Sequence, residues 1–305
     1  MSELNPKKES PVQGMSGLGG GPTSLLCVNP PIIADPGQVE FTTTGSHTWT
    51  VPAGVTSVSV VCIGAGSGSG LNGGGGGALA YGNNISVTPG SSISLQVGLK
   101  EVAVANTSSW FINSSTLQGG GADYKTGGTS SGSERDGGGN GGTGGTYSSW
   151  ASSRWGGGGG GAGGYNGNGG GGGGDTENSG YGIAGSNDAA GGGGLGSQVG
   201  SCNGGGGGGG SGLIGTTSSS TGGGGGNKTA TGGQGGDGQG NSNCNADGDG
   251  YCNGAYTRNG RTYGGGLGGV ASGQSCSNSY SAANGAVRII WPGDTRTFPS
   301  ACADV

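Results

Sequence analysis

The chain has 305 residues, of which 89 are glycine, 28% are hydrophobic and only 9% are charged, with a formal net charge of −5. That charge is too small to hold the chain open by repulsion, and mild acidity gives no basic footprint for nucleic acid. No apolar run approaches the roughly 20 residues of a membrane span, and the N-terminus (MSELNPKKES) lacks an apolar signal-peptide core, so a soluble, unprocessed chain without membrane insertion is expected.

Residues 1–37 show no hydrophobic period, and their stickiest part is GMSGLGGGPTSLL at 14–26. An arm of this kind buries too little of its own surface to offset about 1–2 kcal/mol of backbone entropy per residue. We therefore expect an extended arm ordered by a partner chain, with Leu18, Leu25 and Leu26 as apolar anchors.

Residues 38–118, completed by 284–293, read as a small antiparallel β-sandwich domain. VEFTT at 39–43, residues 48–51 and TSVSVVCI at 56–63 largely alternate polar and apolar residues, with turn signals at Thr44-Gly45-Ser46 and Pro52-Ala53-Gly54. Residues 85–87 and 93–97 form a candidate hairpin across Thr88-Pro89-Gly90, and 109–112 a further strand. The last strand, AVRIIW at 286–291, lies beyond the glycine-rich block and is expected to return to the N-terminal sheet; 294–305 is a tail.

Residues 119–283 hold 67 of the 89 glycines, no proline, and only seven Leu, Ile or Val residues. Seven aliphatic side chains cannot build an ordinary core for 165 residues. Collagen is excluded, because it needs abundant proline between glycines at every third position. A loose Gly/Ser linker fits the composition, but an ordered alternative exists: a packed bundle of polyglycine-II helices. Such a helix has about three residues per turn and no internal hydrogen bonds, so every N–H and C=O points outwards. Without Cβ atoms, neighbouring rods can approach closely enough to bond through their backbones. A run such as the seven glycines in SCNGGGGGGGS (201–211) would then be the core, and a Cβ placed mid-run, as in Gly207→Val, is expected to prevent folding. The spacers of Asn, Ser, Thr, Tyr, Trp and Asp have no fixed period, so variable loops joining short rods are expected instead of a solenoid. The fold class expected is thus mostly β and irregular: a β-sandwich closed by a C-terminal strand, a polyglycine-II bundle and long loops.

Catalytic signals are sparse. His47 is the single histidine, sits at a strand start near Trp49, and has no nucleophile motif beside it. Asp175 and Glu177 could in principle serve a glycosidase, but their Gly-Asp-Thr-Glu-Asn context reads as a solvated turn. No enzyme activity and no cofactor are expected. Asn245, Asp247 and Asp249 followed by Gly250 reproduce the start of an oxygen-ligand calcium loop, yet Tyr256 replaces the bidentate Glu at its twelfth position, so a plain Asx/Gly turn competes with it. The seven cysteines include no CxxC pair. Cys244 and Cys252 are the nearest candidates for a disulfide, although connectivity stays open, and the odd count leaves at least one thiol free or bonded between chains. Tyr147, Trp150, Trp155, Tyr165, Tyr181, Tyr251, Tyr256 and Tyr263, with Arg154, Arg258 and Arg261 among them, form a palette of rigid amphipathic rings amid Ser, Asn and Gly. Binding loops use that palette, and sugar rings stack well on exposed aromatic faces. The competing reading makes these rings a miniature core over the rod ends.

GSHTWTVPAGVTSVSVVCIGAGSGSG (45–70) resembles the opening of glycine-rich domains of bacteriophage tail and virion proteins, and NGAVRIIWPGDTRTFPS (284–300) resembles their closing segment, especially in marine cyanophages. The glycine-rich block is similar to the polyglycine sandwich of T-even-type tail-fibre adhesins. The resemblance covers about residues 38–305 and implies a virion protein of the tail-fibre or adhesin type, assembled in a multi-chain complex. Its partners would be other virion proteins, reached through the N-terminal arm, and a host-surface glycan or protein. The chain departs from the adhesins in its β wrapper at both ends and its seven cysteines. Alternatives are a purely structural capsid decoration or head-fibre protein and, against its long irregular loops, an ice-binding protein.

Overall fold

The computed structural model describes residues 34–68, 70–100, 106–146, 148–150, 153–155, 157–173, 208–214, 263–268 and 281–299. Among them there is no helix, and most regular structure lies in two antiparallel sheets. The strands are β1 (Gly37–Phe41), β2 (Gly45–Thr50), β3 (Ser57–Ile63), β4 (Leu79–Ser86), β5 (Ser92–Val97), β6 (Ser109–Phe111), β7 (Leu117–Gly119), β8 (Ser130–Ser131), β9 (Ser148–Trp150), β10 (Ser153–Trp155) and β11 (Ala286–Trp291). One sheet has the order β1-β11-β3-β4 and the other β2-β5-β6-β7-β8, while β9 and β10 form a separate ribbon. The C-terminal strand β11 lies between β1 and β3, pairing Val39 with Ile289 and Val60 with Ile289 across its two edges.

The expected hairpin across Thr88-Pro89-Gly90 does not form. The turn itself closes, with the Ser91 N–H on the Thr88 carbonyl at 3.0 Å and Gly90 at φ +76°. Its flanking strands part, however: β4 pairs with β3, and β5 pairs with β2 in the other sheet. Likewise β1 and β2, although consecutive, belong to different sheets. These turns are corners between layers.

The sheets pack face to face across a core of Trp49, Val58, Val60, Cys62, Leu95, Val97, Phe111, Leu117, Val287 and Ile289. Burying each such side chain stabilises by about 1.5–3 kcal/mol. The first sheet is also covered on its second face, where Val61, Ile63, Leu79, Tyr81, Ala286 and Ile290 pack against Tyr165, Leu213 and Phe298. Burial on both faces is why β3 and β11 read as near-continuous apolar runs.

Cys62 is a free cysteine inside the sandwich, and burial pushes its thiol far above its ordinary value. The folded state therefore keeps the proton. The stability this contributes is full below the ordinary thiol pKa of about 8.5 and falls as pH rises beyond it. Maleimide labelling followed by peptide mapping is expected to leave Cys62 unmodified in the native protein, even at pH of about 9, and to modify it only after unfolding. Native labelling of Cys62 would contradict the burial.

Where side chains vanish, the layers close on one another. Stacked sheets stand about 10 Å apart when side chains fill the gap. Just beyond β3 and β4, the Gly64 N–H bonds to the Ala78 carbonyl at 2.8 Å, and the Ala78 N–H bonds to Gly120, next to β7 of the opposite sheet, at 2.9 Å. From there successive residues of 71–79 bond to different neighbours, and every third residue returns to the same one. Gly73, Gly76 and Leu79 donate to Gly145, Gly142 and Gly139; Gly74 and Gly77 donate to Leu267 and Gly264; Gly75 and Ala78 donate to Tyr124 and Gly120. In return, Leu71, Gly74 and Gly77 accept from Gly157, Gly160 and Gly163, Gly75 and Ala78 accept from Ser67 and Gly64, and Gly76 accepts from Gly128. All these bonds measure 2.7–3.2 Å.

A second segment, 157–163, repeats the pattern, with Gly158 and Gly161 donating to Gly173 and Gly170 while accepting from Gly145 and Gly142. Five consecutive glycines, Gly73 to Gly77, would each drive a Cβ into a neighbouring carbonyl, at Gly158, Ser67, Thr126, Gly161 and Gly64 in turn. Gly207 lies outside the described residues; at Gly208, one position on, a Cβ would meet the Gly160 carbonyl.

Candidate functional site

The hydrogen-bond register gives the glycine-rich segments two ends. Leu79 opens β4, so Gly77, Gly139, Gly163 and Gly264, which bond around it, mark the end next to the sheet. Leu71, Gly73, Gly145, Gly157 and Leu267 mark the outer end. The β9–β10 ribbon connects residues 146 and 157 and therefore belongs to the outer end, with Trp150 opposite Ser153, Ser149 opposite Arg154, and Ser148 opposite Trp155. Gly173, which precedes segment 174–207, accepts from Gly158 near the outer end. Segment 215–262 is different. It is bracketed by Leu213, in the second-face cluster, and by Tyr263, whose N–H and carbonyl both bond to Ser211 at 3.0 Å.

The residues expected to bind thus fall into two groups by chain connection. Trp150, Arg154 and Trp155 lie on the outer ribbon. Tyr147 directly precedes it, and Tyr181 belongs to segment 174–207; both lie outside the described residues. Tyr251, Tyr256, Arg258 and Arg261 belong to the segment that starts next to the sheet and also lie outside the described residues, as do Cys244, Cys252, Asn245, Asp247, Asp249, Asp175, Glu177 and the arm leucines Leu18, Leu25 and Leu26.

Tyr165 requires a correction. It is not a displayed ring: it is 2% exposed, stacks on Phe298 with centroids 5.7 Å apart, lies 5.8 Å from the Tyr81 ring, and donates its hydroxyl to the Gly212 carbonyl at 3.1 Å. The chain turns back at residues 164–167, with the Gly164 N–H on the Gly167 carbonyl at 2.9 Å. That turn delivers the ring onto the second face of the sheet, where apolar burial outweighs any exposed role. Tyr263 is half-buried against the same cluster. Burial first, and the Glu40 carboxylate second, push its phenol pKa up. It is held protonated. His47 is half-buried, with Nε2 2.7 Å from the Thr43 carbonyl and its ring 5.3 Å from that of Phe41.

Sequence reasoning passed over the outer turn Asp123–Thr126. Asp123 and Thr126 exchange backbone bonds of 3.0 and 2.8 Å, leaving Tyr124 and Lys125 at the tip. Tyr124 and Leu71 are the large apolar side chains that stand exposed among the described residues, at 52% and 36%. Tyr124 adopts φ +46°, a conformation that no residue pattern announces.

No protein-family model matches this chain, and no curated protein matches it at a significant level.

Proposed function

We propose that this chain is a structural protein of a bacteriophage virion, of the tail-fibre or adhesin type, with no catalytic activity of its own. In this reading the glycine-rich block is a polyglycine-II bundle whose outer end faces the host surface, and the N-terminal arm binds other virion proteins. The observation that carries it is the three-residue hydrogen-bond period along residues 71–79, shared among six neighbouring segments. Three residues per turn with every backbone group bonded outwards is the polyglycine-II arrangement. A core made of interlocked backbone leaves a protease no slack chain to engage, which suits a particle exposed to the environment. It also offers a rigid platform at whose ends long insertions leave the packing undisturbed.

Deleting residues 1–26 tests the anchoring. The remaining 27–305 is expected to be folded and to stay in the supernatant when sedimented with particles lacking this protein, whereas the full chain pellets with them. Pelleting of the truncated chain would place the attachment elsewhere. A second reading, a capsid decoration without receptor contact, is favoured by Tyr165, whose ring covers the sheet instead of facing solvent. Immunogold labelling of intact particles separates the two readings, by tail-tip against capsid decoration.

A further inference from the structure

We propose that Tyr124 is a stacking platform for a sugar ring at the outer end of the glycine-rich segments, which rests on the reading of the chain as a surface-binding virion protein. The argument starts from a mismatch between residue and backbone. Tyr124 is the first of the two residues at the tip of the Asp123–Thr126 turn and has φ +46°. A positive φ at that position of a tight turn is ordinarily supplied by glycine. This chain has 89 glycines and places them where φ is positive and space is open, at Gly45, Gly70 and Gly90. A bulky side chain held in the left-handed region costs about 1–2 kcal/mol.

Elsewhere the fold offsets such a cost. Ile112, at φ +66°, packs against the sandwich core. Tyr124 gains no comparable burial, since half of its surface faces solvent. Backbone strain held in place by its surroundings, at a side chain that does not fill the core, points to function.

The ring stands on a fixed base. The Tyr124 carbonyl accepts from the Gly75 N–H at 2.8 Å and from the Ser67 hydroxyl. The Lys125 carbonyl accepts from the Gly144 N–H at 2.7 Å, and Lys125 Nζ donates to Thr146 Oγ1 at 3.4 Å. A ring carried on a backbone already locked into the bundle loses little freedom when a ligand settles on it.

The surroundings define the ligand class. Asp123, Lys125 and Thr126, its neighbours in the turn, are exposed, offering a carboxylate, an ammonium and a hydroxyl. A single ring with polar neighbours falls far short of the roughly 800 Å² per partner that a stable protein interface buries. It matches one pyranose: the C–H groups of the sugar face, carrying partial positive charge, meet the negative face of the aromatic ring, and the hydroxyls reach the polar neighbours. On the virion reading, the chemical class is a polysaccharide of the bacterial surface.

The test uses the full-length protein on an array of purified bacterial O-chains and capsular polysaccharides, with Tyr124→Gly and Tyr124→Phe beside the wild type. The expected result is glycan binding by the wild type, retained within about threefold by Tyr124→Phe and weakened at least about tenfold, or 1.4 kcal/mol, by Tyr124→Gly. The thermal midpoint of Tyr124→Gly is expected to equal or exceed that of the wild type, since glycine relieves the backbone. Undiminished glycan binding by Tyr124→Gly would overturn the role of this ring and leave the virion reading standing. A wild-type protein that binds no glycan on the array would overturn the sugar assignment, while sedimentation with particles reports on the virion reading separately. A lowered midpoint for Tyr124→Gly would show that the ring serves packing, and would overturn the proposal on that ground.

Discussion

Gly76→Val is expected to yield no folded protein. Gly76 lies in the middle of the segment with six bonded neighbours; its N–H is held by Gly142 and its carbonyl by Gly128, each at 2.9 Å, and a Cβ would fall on the Gly161 carbonyl. In a core of side chains, overpacking costs about 1–3 kcal/mol because rotamers and loops give way. Here the obstacle is backbone, itself bonded to Gly142 and Gly170, and moving it breaks further bonds in turn. The cost is expected to exceed that range and to approach the ~5–15 kcal/mol that separates most folded domains from their unfolded chains. Gly90→Ala is the control. Gly90 also has a special backbone, at φ +76°, but nothing stands within 4 Å of the added Cβ, so the strain alone is expected to cost about 1–2 kcal/mol. Soluble expression and thermal unfolding of the pair measure the difference. Equal midpoints for Gly76→Val and wild type would mean that these segments do not pack through their backbones.

What the sequence makes legible here follows from which forces act locally. Strand positions are readable because alternation is a local consequence of one buried face, and β2 and β5 show it. Pairing is not readable from turns alone. Thr88-Pro89-Gly90 encodes a reversal, and the reversal occurs, but whether β4 and β5 then share a sheet depends on β3 and β2 competing for them. The glycine-rich block is legible as a backbone-packed region because composition excludes a side-chain core. The register of its bonds depends on long-range partners that no local pattern specifies. Tyr165 looks like a loop residue in GGYNG, yet a signal against that reading exists. In SVSVVCI and AVRIIW, apolar residues stand on both alternate sets of positions, so the sheet has a second face that requires a cover. Tyr165 and Leu213, among the few large apolar residues of the block, provide it. The candidate site is less legible than the fold. Tyr124 lies in an unremarkable Ala-Asp-Tyr-Lys-Thr stretch, and what singles it out is a backbone angle set by the segments that hold its carbonyl.

Arg288→Ala is expected to cost about 3–5 kcal/mol, the range seen when a large buried side chain is truncated and its polar partners are left behind. Arg288 is the largest fully buried side chain described and has no exposed surface. It sits on the central strand β11 and points to the second face of the first sheet. Its Nη2 donates to Gln38 Oε1 at 2.8 Å, its Nη1 reaches the Leu213 carbonyl at 3.4 Å, and its Nε lies 3.5 Å from Glu40 Oε1. Gln38 Oε1 also accepts from Arg296 Nη2 at 3.0 Å, and Arg296 in turn donates to the Gly37 carbonyl. One side chain therefore ties β1 to the return of the glycine-rich block at residue 213. Two variants separate volume from charge. Arg288→Met keeps most of the stem while removing the charge; the partners it leaves are not buried charges, since the Glu40 carboxylate is 42% exposed and Gln38 Oε1 keeps its bond from Arg296, so its cost is expected to stay below about 2 kcal/mol. Glu40→Gln is expected to change stability by less than about 1 kcal/mol, because the Glu40 side chain is 42% exposed and water already screens it. Urea unfolding of the three variants gives the order. If Arg288→Met proved as damaging as Arg288→Ala, the charged hydrogen bonds, and not the filled volume, would be what holds β1 to the sheet.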